Sequence, residues 1–189
     1  MRADTLDRLL ITLAVRLHAF AFCEIMQGWR LTFDPMDAVT IHYVLAGSGT
    51  LRVGDAPPVD FARHSMMIVP PHQSQSLETG SVERESRAAE HCKILNDGLV
   101  TFTAGDGSRD LLVICGTISA SYAGAFGLFD HLRGPIVQDL SSEQAIRGAF
   151  ELLLAEVARP GVGTQALTEA LMKQCLILLL RRHLVAGAA

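Results

Sequence analysis

Charge of one sign is not in excess in this chain: 16 lysines and arginines stand against 20 aspartates and glutamates, for a formal net charge of −4. The densest basic cluster is Arg181-Arg182-His183, so the chain by itself is a poor candidate for gripping DNA. Long apolar runs are missing too. The longest, Cys175 to Leu180, falls far short of the roughly 20 residues that span a bilayer. The N-terminus carries Asp4, Asp7 and Arg8 and no small-residue cleavage site, which argues against a secretory signal and for a cytoplasmic protein. Cysteine is sparse: Cys23, Cys92, Cys115 and Cys175 are scattered in apolar surroundings without a Cys-x-x-Cys pair. That pattern argues against a zinc knuckle or a disulfide framework, and the four read as reduced core residues. No Gly-x-Ser-x-Gly elbow occurs, and "GDGSRD" (105–110) has turn composition without the strand and helix context of a phosphate loop. What remains is 189 residues, 49% of them hydrophobic, enough for one domain with a sizeable core.

The chain falls into three zones. In "DTLDRLLITLAVRL" (4–17), Leu6, Leu9, Leu10, Leu13 and Leu17 recur at helical spacing, which predicts a short amphipathic helix whose end is open to strand. From about 19 to 139, Gly, Pro, Asp and Ser punctuate the sequence every eight to twelve residues or so, the rhythm of many short strands in a barrel or sandwich. The strand candidates are "AFCEIMQGWRLTF", "AVTIHYVLAG", "TLRVGD", "PVDFA", "SMMIVP", "SQSLET" and "DLLVICGTIS", rich in β-branched and aromatic residues. The polar segment 80–98 reads as a solvated loop or a short strand with a charged flank.

From Ser141 the period changes. Ser141 and Gln144 form a capping-box pattern, and Ile146, Phe150, Leu153, Leu154 and Val157 share one face of a helix running to about Arg159. Pro160 and Gly161 stop it, Thr164 offers a new N-cap, and a second helix of about twenty residues follows. The two are expected to pack as a hairpin. The second helix is apolar on all sides between Cys175 and Leu180, more than one packing face needs, which suggests burial against both its own domain and another subunit, the alternative being a helix buried wholly in its own fold. The domain reading is therefore residues 1–140 as a barrel with an N-terminal helix, and 141–189 as a helical hairpin leading into a linker.

The succession "YVLAGSG", "LRVGD", a proline-rich turn and "SMMIVPPHQSQS" resembles the conserved barrel of the cupin superfamily. The resemblance implies a mainly β fold, a double-stranded β-helix or jelly-roll barrel. Metal-binding cupins carry His-x-His, a Glu five residues on and a Gly seven after that, then Gly, Pro six later and a final His five after the Pro. With Gly47 and Pro70 as anchors, the ligand positions fall on Phe33, Pro35, Thr40 and Gln75, and the second-motif glycine on His64. None of these replacements supplies an imidazole, thiolate or carboxylate at a ligand position, so no metal is expected there. His42, two residues after Thr40 on the same strand, points to the same side. It reads either as a ligand contact or as a core histidine satisfied by a neighbour. Thr40 and Gln75 are neutral hydrogen-bonding groups suited to orienting a small molecule, with Phe33, Val44 and Trp29 as the apolar wall.

Over nearly the whole chain, "DTLDRLLITLAVRLHAFAFCEI", "IHYVLAGSGTLRV", "LLVICGTI", "FDHLRGPIVQDL" and "AFELLLAEVARPGVGTQALTEALMKQCLILLLRRHL" look like the N-terminal sensor domain of AraC-type transcriptional regulators. That resemblance implies a metal-free barrel that binds a small organic effector and a hairpin that mediates homodimerisation, with Leu171, Gln174, Cys175, Leu178, Arg181 and Arg182 in the interface. It implies DNA contact only through a C-terminal helix-turn-helix half beyond Ala189, and no catalytic residue, cofactor or membrane partner. The rival is a metal-dependent cupin enzyme, an isomerase or dioxygenase, using displaced ligands such as His42, His64 and His72. A stand-alone non-catalytic cupin, or a barrel filled by its own side chains, also fits the pattern. "CEIMQGWR" and "EHCKIL" also place Cys, Glu and His near one another, and Glu24, Glu90, His91 and Cys92 stand as a further candidate site, although neighbours on a strand face opposite ways.

Overall fold

Strands that alternate apolar and polar residues bury one face by pairing as sheets and stacking the sheets. The computed structural model describes residue 8 and residues 10–96, 99–122 and 126–186. Its strands are β1 (Leu13–Met26), β2 (Trp29–Phe33), β3 (Val39–Ala46), β4 (Ser48–Val53), β5 (Val59–Ala62), β6 (Ser65–Val69) and β7 (Gln75–Glu78). They continue as β8 (Arg84–Arg87), β9 (Cys92–Asn96), β10 (Leu99–Ala104), β11 (Arg109–Tyr122), β12 (Phe126–Gly127) and β13 (Ile136–Asp139). Helices α1 (Gln144–Ala158) and α2 (Thr164–Ala186) follow. The larger sheet is ordered β13-β6-β3-β11-β1-β10-β9, with β12 on β11, and the smaller β5-β4-β7-β2-β8. This is the mainly β, two-sheet architecture with a short N-terminal helix and two C-terminal helices that the sequence predicts.

The helix predicted over 4–17 ends earlier than its leucine spacing suggests, and residues 4–7 and 9 lie outside the described residues. Residues 8 and 10–12 are helical, but the chain is extended from Leu13 onward. Leu13 and Val15 are buried and alternate with exposed Ala14 and Arg16, so the period of two prevails once a sheet is available to pair with. Segment 80–98 also carries more structure than a loop, since β8 and β9 fall within it.

By compactness the chain divides into one unit of His18–Ile118 with Leu132–Ser142, and another of Met1–Leu17, Ser119–His131 and Glu143–Ala189. In the first, the inward faces of both sheets meet in one core that includes Cys23, Ile25, Leu31, Phe33, Val44 and Leu51, together with Met67, Val69, Leu77 and Val113. Each such side chain withdrawn from water stabilises the fold by about 1.5–3 kcal/mol. Gly47 makes the tight reversal between β3 and β4 at φ +85, where a Cβ would collide with the Asp110 carbonyl. On the smaller sheet, the nearly buried Glu78 is held by Arg30 at 2.7 Å and Arg52 at 2.8 Å. That hydrogen-bonded pairing raises the Arg30 pKa.

In the second unit, α1 and α2 pack against each other. Ile146, Ala149, Phe150 and Leu153 are buried on α1, while Leu154 and Val157 are half-buried. The capping box does not form. Glu143 stands at the N-cap with no side-chain capping bond, and at the end of the first unit the Ser141 N–H donates to Asp139 Oδ1. Thr164 is the first residue of α2 and bridges the turn: its hydroxyl accepts from the Gly161 N–H at 2.7 Å and donates to Glu156 Oε1. Among the described residues no helix is long and apolar enough to cross a membrane.

Candidate functional site

Strand alternation places Thr40 and His42 on the inward face of β3, and Gln75 opens β7 on the facing sheet. All three are buried, and they form a chain. His42 Nε2 lies 2.8 Å from Gln75 Oε1, and Gln75 Nε2 donates to Thr40 Oγ1 at 3.0 Å. With the amide in this orientation its oxygen can only accept, so His42 carries its proton on Nε2. Nδ1 is left as a buried acceptor without a hydrogen-bond partner. Burial penalises the imidazolium more than the bond to Gln75 favours it, and the His42 pKa is lowered from 6.5 to about 4. The imidazole is therefore neutral at physiological pH.

Thr40 closes this chain at the wall of a cavity of about 140 Å³, whose lining includes Phe20, Phe33, Met36, Val100, Phe102 and Cys115. Phe33 and Phe102 meet edge to face with centroids 5.9 Å apart, and Phe33 also touches the His42 ring at 5.9 Å. Thr117, paired with Thr40 across β3 and β11, lines the cavity as well. The space is thus apolar with hydroxyls at one wall.

Of the residues singled out from the sequence, Thr40 and Phe33 line this cavity, whereas His42 and Gln75 stand behind Thr40 in the hydrogen-bond chain and are not part of its lining. Val44 is fully buried in the core and does not line the cavity. Trp29 lines a separate cleft, beside Arg84 and Ser86. Val100 and Phe102 escaped the sequence reading because β10 was not among the strand candidates. Its "VTFTA" alternation of β-branched and aromatic residues was the available signal. On α2, Cys175 is fully buried within its own chain and Met172 beside it. Leu171 and Leu178 are half-buried, Gln174 and Arg181 are exposed, and the Arg182 side chain lies outside the described residues. Cys175 is thereby removed from any outer surface, and its thiol pKa is pushed up to about 12 by burial.

The cysteine expectation needs correction. Cys23 on β1 and Cys115 on β11 are joined as a disulfide across 92 residues of sequence, a pairing that only the adjacency of β1 and β11 creates. Cys92 and Cys175 are free.

The metal positions of the resemblance hold the phenyl of Phe33, the ring of Pro35, the hydroxyl of Thr40 and the amide of Gln75, a donor set that does not fit a catalytic metal. The displaced histidines do not converge either. His64 Nδ1 lies 3.1 Å from the Tyr43 hydroxyl, and the exposed His72 lies 3.3 Å from Asp37, while His42 is committed to Gln75. Among the described residues no group of three or more His, Cys, Asp or Glu is placed to hold a metal ion. Glu24 pairs with Arg109 at 3.1 Å, whereas Glu90, His91 and Cys92 are exposed.

Three comparisons with known proteins bear on the fold. None of the curated proteins matches the chain. Among solved structures, apo ToxT K231A from Vibrio cholerae aligns with a TM-score of 0.50 and 7% identity over 90% of this chain and 56% of that one. This chain thus spans about half the length of ToxT. Wild-type ToxT bound to an unsaturated fatty acid aligns with a TM-score of 0.39 and 9% identity, covering 85% of this chain and 50% of that one. A cupin protein from Bacteroides fragilis aligns at 0.32 and 10% identity over 60% of this chain and 70% of that one. A family profile described as "Cupin" matches residues 4–185, nearly the full length. The two-sheet fold is therefore that of a cupin, and the chain belongs to the cupin family.

Proposed function

We propose that this cupin is the effector-sensing and dimerisation half of an AraC-type transcriptional regulator, and that its barrel binds a small, mainly apolar molecule without catalysis. The observation that carries the reading is the hydrogen-bond chain His42–Gln75–Thr40, which ends at a mainly apolar cavity. Such a site has one oriented hydroxyl to fix a ligand and a neutral imidazole behind it, without a charged acid, base or metal ligand set for chemistry. The fold likeness to ToxT, an AraC-family regulator, agrees with it. Differential affinity of the effector for two arrangements of the protein would shift a homodimer formed through α2, and DNA would be reached only through a helix-turn-helix half outside this chain.

The cavity volume suits a benzene-sized group. Benzene and phenol serve as probes in a methyl and aromatic NMR titration of the 189-residue chain. Saturable shifts are expected at Phe33, Met36, Val100 and Phe102. Phenol, whose oxygen can accept from Thr40, is expected to bind more tightly than benzene, and Thr40→Val removes the difference. Filling the space with Val100→Phe abolishes both. Absence of saturable shifts with either probe would overturn the reading in favour of a barrel filled by its own side chains.

A further inference from the structure

A second cleft, of about 300 Å³, lies beside Trp29 and is distinct from the interior cavity. Trp29 and Arg84 are neighbours across the parallel β2–β8 pair, and the Arg84 guanidinium lies 5.7 Å from the indole centre. Gly105, at φ +94, brings backbone against the same indole, where a Cβ would stand 2.6 Å from Nε1. Only glycine permits that approach. The indole is thereby fixed, and a cation is laid on it.

Two polar groups in this cleft are uncommitted. Among the described residues Arg84 forms no ion pair, and its neighbour Glu85 is engaged with Arg30 and Thr32 instead. Ser86, two residues along the same face of β8, lines the cleft, and its hydroxyl is buried without a hydrogen-bond partner. Buried hydroxyls are nearly always satisfied, so an orphan one beside a fork of free guanidinium donors marks a place for an acceptor. A carboxylate matches it, one oxygen pair facing the planar fork and the hydroxyl donating alongside. Asp106, on the loop that carries Gly105, also lines the cleft. It selects a ligand with a hydrogen-bond donor of its own and disfavours a bare anion.

We propose that this cleft binds a small organic acid bearing an amino or hydroxyl group, with the carboxylate on Arg84 and Ser86 and the donor toward Asp106. The site is independent of the interior cavity. Trp29 is the only tryptophan in the chain, so intrinsic fluorescence reports on this cleft alone. The 189-residue chain is titrated with L-leucine and 2-hydroxy-4-methylpentanoate, and with 4-methylpentanoate and leucinamide, which lack the donor and the carboxylate respectively. A saturable change with either of the first two is expected, weaker by about tenfold or more for both controls and for Arg84→Gln. Ser86→Ala weakens binding without lowering the melting temperature, because it deletes a hydroxyl with no partner. Thr40→Val leaves this titration unchanged, which separates it from the test of the interior cavity. Lack of saturation with both acids, equal binding of inorganic phosphate, or a melting temperature lowered by Ser86→Ala would each overturn the assignment.

Discussion

Burying the neutral imidazole of His42 makes stability depend on pH in a direction that follows from its surroundings. In the unfolded chain the ring takes up a proton as the pH falls past 6.5, whereas in the folded protein desolvation keeps it neutral down to about 4. The unfolded state therefore binds more protons throughout that window, and stability falls as the pH falls. The contribution is fully present above pH 6.5 and lost once the pH has dropped through about 4. A displacement of this size corresponds to on the order of 3 kcal/mol, with about 2 kcal/mol gone by about pH 5. Urea unfolding of the native chain and of His42→Gln across this range isolates the effect, because every other titrating group is common to both. The two stability curves are expected to converge toward acid. An NMR titration of the His42 ring in the folded native chain gives the same answer without any variant. A midpoint near 6.5 in the folded protein, or curves that stay parallel, would refute the reasoning.

The same chain makes Gln75→Leu costly. It strands the His42 Nε2–H and removes the donor to Thr40, so urea unfolding is expected to show a loss of about 2–3 kcal/mol. The double change His42→Leu with Gln75→Leu recovers part of it, since two apolar partners leave nothing unsatisfied. Gly47→Ala meets a φ of +85 and the Asp110 carbonyl together, and a loss of at least about 2 kcal/mol is expected in the same assay. Thr164→Val gives up the bond from Gly161 and the one to Glu156, and is expected to lower stability by about 1 kcal/mol.

Short-range pattern alone determined much of this protein. Alternation and turn residues announced most of the strands, the change of period after Ser141 announced α1 and α2, and the run from Thr40 to Asp55 with its Gly47 turn announced the barrel. Thr40 and His42 were legible as partners because two residues apart on a strand means one side of a sheet. Other features depended on which strands become neighbours, and no local pattern encodes that. Leucine spacing over 4–17 suits a helix, and only the sheet that takes in β1 turns the chain to strand from Leu13 onward. Gln75 was placed near His42 by motif spacing, but its bond to the imidazole needs β3 and β7 to face each other across the core. The Cys23–Cys115 pair needs β1 beside β11. Trp29 reads in sequence as one more apolar wall residue, and it is the parallel pairing of β2 with β8 that carries it to Arg84 and Ser86 instead. Sequence set each residue's face, because the backbone period is local. Tertiary structure set each residue's partners, because those contacts join segments tens of residues apart.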